Sequence, residues 1–196
     1  MSNFVVMNHD GYRHDKAVAV YCGSSDGVDA RFVDAAYDLG RDAAARGWAT
    51  VTGAGPRGLM GAVVRGTLDG GGKAIGVIPQ FMVDRGWASS EVSVRHVTDG
   101  MHSRKKLMAE LSDGAIALPG GVGTFDELME IITWRQLGLY EHPVVLVNTL
   151  GYYDGLLAML EHAGKCGMLR ATDVTGPLWH VVNTPGEALD IIERAS

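Results

Sequence analysis

The sequence predicts an α/β fold in which one parallel sheet carries helices on both faces. Short apolar runs alternate with longer stretches whose apolar residues recur at helical spacing, which is the pattern of βαβ units. Small-residue turns follow several of these runs. The length of 196 residues, with 46% hydrophobic and 20% charged residues, suits one globular domain. We therefore expect a doubly wound sheet in a single domain over residues 17–196, preceded by a disordered segment over residues 1–16.

The first half of the chain predicts three strands and two helices. Residues 17–21 are an unbroken apolar run, as in a strand buried on both faces. Apolar residues between Phe32 and Ala43 then recur every three or four positions, which predicts a helix that ends before Gly47. Residues 48–51 form the second strand. Apolar residues from Leu59 to Leu68 predict the second helix, which three glycines stop before a third strand at 73–78.

The second half continues the alternation. Residues 92–97 predict a fourth strand, 101–111 a helix, and 114–118 a fifth strand. A glycine-rich loop then leads into a helix that reaches about Leu137, followed by a sixth strand at 144–147 and helices near 152–163 and 185–194. Ligands on such sheets bind beyond the carboxyl ends of the strands, so the loops after the first, second and fifth strands are the main candidates.

Composition and charge exclude several classes of function. The chain has 17 basic and 23 acidic residues, a net charge of −6, so we expect no nucleic-acid partner. No apolar run approaches the length of about 18 residues that spans a membrane. Cys22 and Cys166 form no CxxC pair and are expected to be reduced thiols in a cytoplasmic protein. The seven histidines show no metal-ligand spacing, so no metal is expected.

Two of the glycine-rich loops could bind phosphate. Glycines between a strand and a helix let backbone amides approach an anion, or they merely permit tight turns. Gly53, Gly55 and Gly58 spell GxGxxG, but a dinucleotide site also needs an acid about 20 residues further on, and none is present. The loop from Pro119 to Thr124 lacks the Gly-Lys-Ser/Thr ending that serves triphosphates. Its amides, with the Thr124 hydroxyl, would suffice for a monophosphate.

An acidic and a basic group lie at the same predicted edge. Thr124 and Glu127 have the spacing of a capping box, which is a purely structural role for Glu127. Alternatively, the Glu127 carboxylate stabilises an oxocarbenium-like state or activates water during cleavage of an N-glycosidic bond, with Glu130 on the same helical face. Arg104 and Lys105, which we place at the start of a helix, indicate an anionic ligand there, or they form a solvated basic pair. Core packing is expected of Met60, Met101, Met108 and Met129.

Two motifs together resemble a known family. The stretch Pro119–Glu127 matches PGGxGTxxE, and Met101–Lys105 matches MHxRK. In this combination the chain resembles the LOG ("Lonely Guy") family of cytokinin riboside 5′-monophosphate phosphoribohydrolases, and the resemblance extends from about Val18 to Ile192. It implies a Rossmann-like fold, a homodimer, and cofactor-free hydrolysis of AMP-like nucleotides to free base and ribose 5-phosphate.

The resemblance also implies roles for individual residues. Arg104 and Glu127 match the family's catalytic pair. Further nucleotide contacts are expected, from the motifs and from the loops, at Ser24, Gly53, Gly55, Lys105, Gly120, Gly121, Val122, Gly123, Thr124, Phe125, Asp126 and Thr133. Two positions depart from the family: Ala54 stands where a third glycine is usual, and Gly86 where a substrate-contacting glutamate is common. The Ala54 methyl either crowds the ligand or only fixes the turn, and the base preference stays open.

Two other functions remain as alternatives. Related Rossmann-type proteins with similar loops act as nucleotide or molybdenum-cofactor carriers, although a carrier does not need Arg104 and Glu127 together. Sequences with the PGGxGTxxE motif are also often labelled lysine decarboxylases. That chemistry calls for pyridoxal phosphate on a Schiff-base lysine, and none of the lysines weighed for that role (Lys73, Lys105, Lys106 and Lys165) lies in a recognisable motif for it.

Overall fold

The computed structural model describes residues 16–169 and 176–195, so the segment before Lys16 lies outside the described residues. Within them the strands are β1 Ala17–Tyr21, β2 Ala49–Thr52, β3 Ala74–Pro79, β4 Val94–Thr98, β5 Ala115–Ala117, β6 Val144–Val147 and β7 His180–Val182. The helices are α1 Ala30–Ala45, α2 Gly58–Asp69, α3 Gln80–Asp84, α4 Met101–Glu110, α5 Val122–Gln136, α6 Asp154–Lys165 and α7 Pro185–Arg194.

All neighbouring strands are parallel, in the order β4-β3-β2-β1-β5-β6-β7. The winding direction reverses between β1 and β5, which makes this pair the topological switch point of the sheet. The loops that leave these strands turn toward opposite faces, and the gap between them is where doubly wound sheets bind ligands. The predicted Rossmann-like, doubly wound fold is therefore confirmed.

The central strand β1 explains how one sheet supports two hydrophobic cores. Its residues are all buried, and alternate side chains point to opposite faces. Ala17, Ala19 and Tyr21 pack in the core beneath α4, α5 and α6. Val18 and Val20 pack in the other core beneath α1, α2 and α7. Helices thus cover both faces of the sheet, and the candidate functional loops lie at the edge where the strands end.

Two elements were not predicted from the sequence. The short helix α3 follows Pro79 directly and buries none of its five residues, so it has no apolar stripe to detect. The edge strand β7 has only three residues with an intermediate–exposed–intermediate pattern, and it pairs with β6 alone among the described strands. Short, partly exposed elements leave little periodic signal.

Candidate active site

A cavity of about 320 Å³ opens at the carboxyl edge of the sheet, beside the switch point. This volume lies within the range of small-molecule sites. The loops after β1, β2, β3 and β5 and the helices α2, α3, α4 and α5 contribute to it. Its lining residues are Cys22, Gly23, Ser24, Ser25, Gly53, Gly55, Met60, Met82, Trp87, Arg104, Gly121, Gly123, Thr124 and Glu127.

Glycines allow the loops around this cavity to touch. The Gly23 amide donates to the Pro119 carbonyl at 3.0 Å, and a Cβ on Gly23 would lie 3.2 Å from the Gly120 Cα. A Cβ on Gly120 would in turn overlap the Thr124 hydroxyl. The switch-point loops therefore meet backbone to backbone, which only residues without a side chain permit.

Arg104 is buried at the floor of the cavity. Its guanidinium Nε donates to the Val77 carbonyl oxygen at 3.1 Å, and its Nη2 lies 3.5 Å from Glu127 Oε1. A Cβ at Gly53 would overlap the same guanidinium. The glycine loop after β2 therefore leaves space for a cation. Gly53 contributes to the site by making this space for the Arg104 guanidinium.

The capping-box interpretation of Glu127 is wrong. Helix α5 begins at Val122 with Gly121 as its N-cap, so Thr124 is the third helical residue and makes no cap hydrogen bond. A true capping box occurs elsewhere, at α7, where Glu187 accepts from the Thr184 amide at 3.0 Å. Glu127 instead lies in the second turn of α5, buried against Arg104.

The environment of Glu127 perturbs its acidity. Burial disfavours the charged form, and although the Arg104 guanidinium opposes this effect, the pKa of Glu127 is raised to about 7 from its ordinary value of 4.5. Both protonation states are therefore populated near neutral pH. A carboxyl group with such a pKa in a cleft is suited to accept and release a proton.

Lys105 lies behind this pair rather than in the cavity. Its ammonium contacts Asp126 Oδ2 at 3.1 Å and Glu130 Oε2 at 3.0 Å. Burial opposes the charge of Lys105, but the two carboxylates raise its pKa above the ordinary value. Lys105, Asp126 and Glu130 thus form an ion-paired cluster that joins α4 to α5, and none of the three lines the cavity.

Arg104 and Lys105 do not open their helix as predicted. Helix α4 begins three residues earlier, at Met101, with Gly100 as N-cap and a hydrogen bond from the Gly100 amide to Ser103 Oγ. This bond satisfies the Gly100 amide, and with the helix starting at Met101 the two basic residues lie at the fourth and fifth helical positions. Met101 itself is 37% exposed, contrary to the predicted core position, and its sulfur lies 3.8 Å from Arg104 Nη1.

The loop before α5 has several unbonded amides, and three of their residues, Gly121, Gly123 and Thr124, line the cavity. Within 16–169 and 176–195, no group accepts a hydrogen bond from the amides of Gly120, Gly121, Val122, Gly123 or Thr124. Helix α5 also lacks a side-chain cap. An uncapped helix N-terminus with several free amides is an anion site, because the amides and the helix field both favour negative charge.

Several predicted contact residues lie outside the cavity lining. Val122 is 86% exposed, and Phe125 packs edge-on against Tyr153, with ring centroids 6.3 Å apart. Thr133 is exposed on α5 and donates to the Met129 carbonyl. Gly120 is not among the cavity-lining residues, although it lies close to Gly23 and Thr124. The predicted residues that do line the cavity are Ser24, Gly53, Gly55, Arg104, Gly121, Gly123, Thr124 and Glu127.

An apolar wall was missed by sequence analysis. Met60, Met82 and Trp87 line the cavity, and Trp87 is 49% exposed beneath the Arg85 guanidinium, 5.1 Å from the ring centroid. The same edge rule that selected the other loops applies to the loop after β3, which supplies Met82 and Trp87.

Ala54 does not crowd the cavity: it has a positive φ of 58°, and its methyl is buried against Gly76.

A larger cavity of about 520 Å³ lies elsewhere, between the C-terminal ends of α4 and α5. It includes Trp134 and Tyr140 but none of the predicted site residues.

Among the described residues no group of three or more His, Cys, Asp or Glu is placed to hold a metal. No described helix is long and apolar enough to cross a membrane.

Fold and site together define a class: a doubly wound α/β protein with an uncapped helix start beside a buried arginine–glutamate pair. A family model described as "Possible lysine decarboxylase" matches residues 60–192. Cytokinin riboside 5′-monophosphate phosphoribohydrolase LOG3 of Arabidopsis thaliana is 45% identical over 158 residues, 80% of this chain and 73% of that protein. The rice protein named "Probable cytokinin riboside 5′-monophosphate phosphoribohydrolase LOGL1" (Oryza sativa subsp. japonica) is 44% identical over 154 residues, covering 79% and 69%. The chain belongs to the LOG family, as its motifs predicted.

A solved structure supports the fold independently. The molybdenum cofactor carrier protein of Chlamydomonas reinhardtii aligns with a TM-score of 0.69 over 93% of this chain and 98% of that one. The two sequences are 23% identical, so this similarity concerns the fold alone.

Proposed function

We propose that this chain hydrolyses the N-glycosidic bond of adenosine 5′-monophosphates, N6-modified cytokinin ribosides included, and releases free base and ribose 5-phosphate. The observation that carries the proposal is the buried pair of Arg104 and Glu127, 3.5 Å apart, beside an uncapped helix start. Family membership supports it, since the named relatives are phosphoribohydrolases.

The 5′-phosphate binds at the start of α5. The free amides of Gly121, Gly123 and Thr124, with the Thr124 hydroxyl, provide hydrogen bonds to phosphate oxygens. Ser24 faces the same cavity from the loop after β1. A phosphate anchored there leaves the sugar to extend toward Glu127, one helical turn further along α5.

Hydrolysis breaks the bond between C1′ and the base nitrogen, and the bonding electron pair leaves with the base. The ionised Glu127 carboxylate stabilises the positive charge that develops on the sugar and accepts a proton from the attacking water. The water oxygen bonds to C1′, and the proton becomes available to the departing base. Arg104 keeps a fraction of Glu127 ionised at neutral pH, because its cation offsets part of the burial effect.

The base lies against the apolar wall. Met60, Met82 and Trp87 offer sulfur and indole surfaces to an adenine ring or to an alkyl group on its N6 atom. Gly86, at a positive φ of 71°, contributes no side chain beside Trp87. We therefore assign base preference to this wall rather than to an acidic side chain at position 86.

The remaining roles follow the family resemblance. We propose a cytoplasmic homodimer that needs no cofactor or metal. Lys105 and Asp126 act in our proposal by fixing α4 and α5 around the catalytic pair. Thr133 is exposed on α5, so it would reach a nucleotide only across a dimer interface.

The two alternative functions have less support. The carrier function rests on a similarity that extends to the fold alone. A decarboxylase with pyridoxal phosphate needs a lysine that loses its proton readily. The pKa of Lys105 is raised instead, because Asp126 and Glu130 hold its ammonium despite the opposing effect of burial.

The direct test is to incubate the purified protein with AMP and with N6-isopentenyladenosine 5′-monophosphate and to quantify free base and ribose 5-phosphate by chromatography. Glu127→Ala is expected to abolish release. Glu187→Ala is a matched control, because Glu187 is the true capping glutamate of α7 and lies away from the cavity. The proposal is wrong if no nucleotide releases base, or if Glu127→Ala retains full turnover.

A further inference from the structure

Three successive carbonyls of the loop before α5 are held by groups from outside that loop. The Tyr153 hydroxyl donates to the Leu118 carbonyl oxygen at 2.6 Å, and the Gly23 amide donates to the Pro119 oxygen at 3.0 Å. The Tyr152 hydroxyl donates to the Gly120 oxygen. Two adjacent tyrosines after β6 thus support a loop that follows a different strand.

Holding a carbonyl also orients an amide. The peptide group is planar and trans, so the C=O of one residue and the N–H of the next point in opposite directions. The Tyr152 hydroxyl therefore fixes the direction of the Gly121 N–H, and the Gly23 amide fixes that of the Gly120 N–H. Gly121 lines the cavity, and glycine itself restricts its backbone least of all residues. The restraint on this peptide comes from Tyr152.

The two tyrosines are themselves fixed. The Tyr153 amide donates to Asn148 Oδ1 at 2.6 Å, and Asn148 Nδ2 donates to Asp154 Oδ1 at 2.7 Å. The Tyr152 ring packs edge-on against Phe32, with centroids 5.7 Å apart. Neither tyrosine is among the cavity-lining residues, so any effect of Tyr152 on a ligand is transmitted through the loop.

We propose that Tyr152 is a positioning residue for the 5′-phosphate: its hydroxyl holds the Gly120–Gly121 peptide so that the Gly121 amide faces the anion. This inference rests on the proposed function for the identity of the phosphate, which is that of a nucleotide. Without the hydroxyl, the peptide is free to rotate, and phosphate binding must then order it. Affinity for phosphate-bearing ligands falls, while the Arg104–Glu127 pair keeps its geometry.

The test compares Tyr152→Phe with Tyr37→Phe. The first change keeps the ring against Phe32 and removes only the hydroxyl, so the fold is preserved. The control removes an exposed hydroxyl that donates to Asp69 Oδ2 at 2.9 Å, away from the cavity. For Tyr152→Phe we expect KM for AMP and the inhibition constant of ribose 5-phosphate each to rise about tenfold, the effect of one hydrogen bond. We expect kcat and the pH dependence of kcat to remain as in the wild type, and the control to match the wild type.

Other outcomes would overturn the inference. These are an unchanged KM and inhibition constant, a fall in kcat alone, or an equal rise in the Tyr37→Phe control. Calorimetric titration of ribose 5-phosphate into the same three proteins separates this inference from the proposed function. If the wild type hydrolyses no nucleotide yet binds ribose 5-phosphate more tightly than Tyr152→Phe, the positioning role stands and the hydrolase function fails. If the wild type does not bind ribose 5-phosphate, the positioning role fails.

Discussion

Replacing Glu127 with glutamine is expected to stabilise the ligand-free protein while it removes activity. Glu127 is 7% exposed, and its pKa of about 7 lies well above the ordinary 4.5. Burial is the main cause of this shift, and the Arg104 cation only partly offsets it. Glutamine has nearly the same shape and keeps an oxygen for Arg104, but it carries no charge to desolvate. The substitution therefore isolates the effect of the charge.

The sign of the effect follows from linkage. A carboxyl group whose pKa is raised in the folded state does not lower the free energy of unfolding below pH 4.5, because it is then protonated in both the folded and the unfolded state. The destabilisation grows as the pH rises and is complete above pH 7, where the group is ionised in both. The difference between the two pKa values corresponds to about 3 kcal/mol. Glu127→Gln should therefore exceed the wild type in unfolding free energy by up to about 3 kcal/mol at pH 8, and by much less at pH 5.

Urea denaturation of both proteins at these two pH values measures the difference. Glu187→Gln serves as the control. The pKa of Glu187 is lowered by its hydrogen bonds with Thr184 and Asn183, so removing this carboxylate should destabilise the folded protein. In wild-type activity assays, kcat/KM should fall about tenfold between pH 8 and pH 6 as Glu127 becomes protonated. Equal stability of Glu127→Gln and wild type at pH 8, or retained turnover in the variant, would refute the reasoning.

Three further substitutions test the other parts of the site. Arg104→Met should reduce kcat/KM about a hundredfold or more, and should move the pH dependence of any residual activity upward because Glu127 loses its cationic neighbour; a pH–rate profile measures both. Gly53→Ala should reduce turnover at least about tenfold, since its methyl displaces the Arg104 guanidinium, whereas Gly186→Ala, at a glycine of α7 with open space around it and no positive φ, should leave turnover as it is. Trp87→Ala should raise KM for the N6-isopentenyl nucleotide about tenfold through lost apolar contact without changing the inhibition constant of ribose 5-phosphate; an equal loss for both ligands would contradict the assignment of Trp87 to the base.

Most of the fold follows from the sequence because the elements that build it are periodic. The run at β1 is apolar at every position, and the strand is buried on both faces. By contrast, α3 buries none of its residues, and β7 depends on its pairing with β6. Strand β7 exists because β6 offers a free edge to it, from Val145 opposite His180 onward, and no local pattern within three residues records that edge.

The candidate site was predictable where spacing alone determines neighbours. Arg104 and Glu127 come from different helices, yet the edge rule and the family motifs placed them together, and the structure brings them within 3.5 Å. Spacing did not reveal where Lys105 points, because one helical position separates it from Arg104 and turns its side chain toward Asp126 and Glu130. The capping-box interpretation failed for a related reason: it depends on which residue begins the helix, and helix boundaries are the weakest part of a sequence prediction.

Two features of α5 fit the proposed nucleotide: the unbonded amides at its start and the carboxylate buried in its second turn. Helix α7 begins with a complete capping box, whereas α5 begins at Val122, with Gly121 as an N-cap that has no side chain, and leaves its first amides unbonded. In the next turn, α5 buries a carboxylate at a cost in stability that glutamine would avoid. In the proposed function, a bound phosphate accepts hydrogen bonds from these amides, and a sugar with developing positive charge gives the buried carboxylate a partner, so one ligand would account for both.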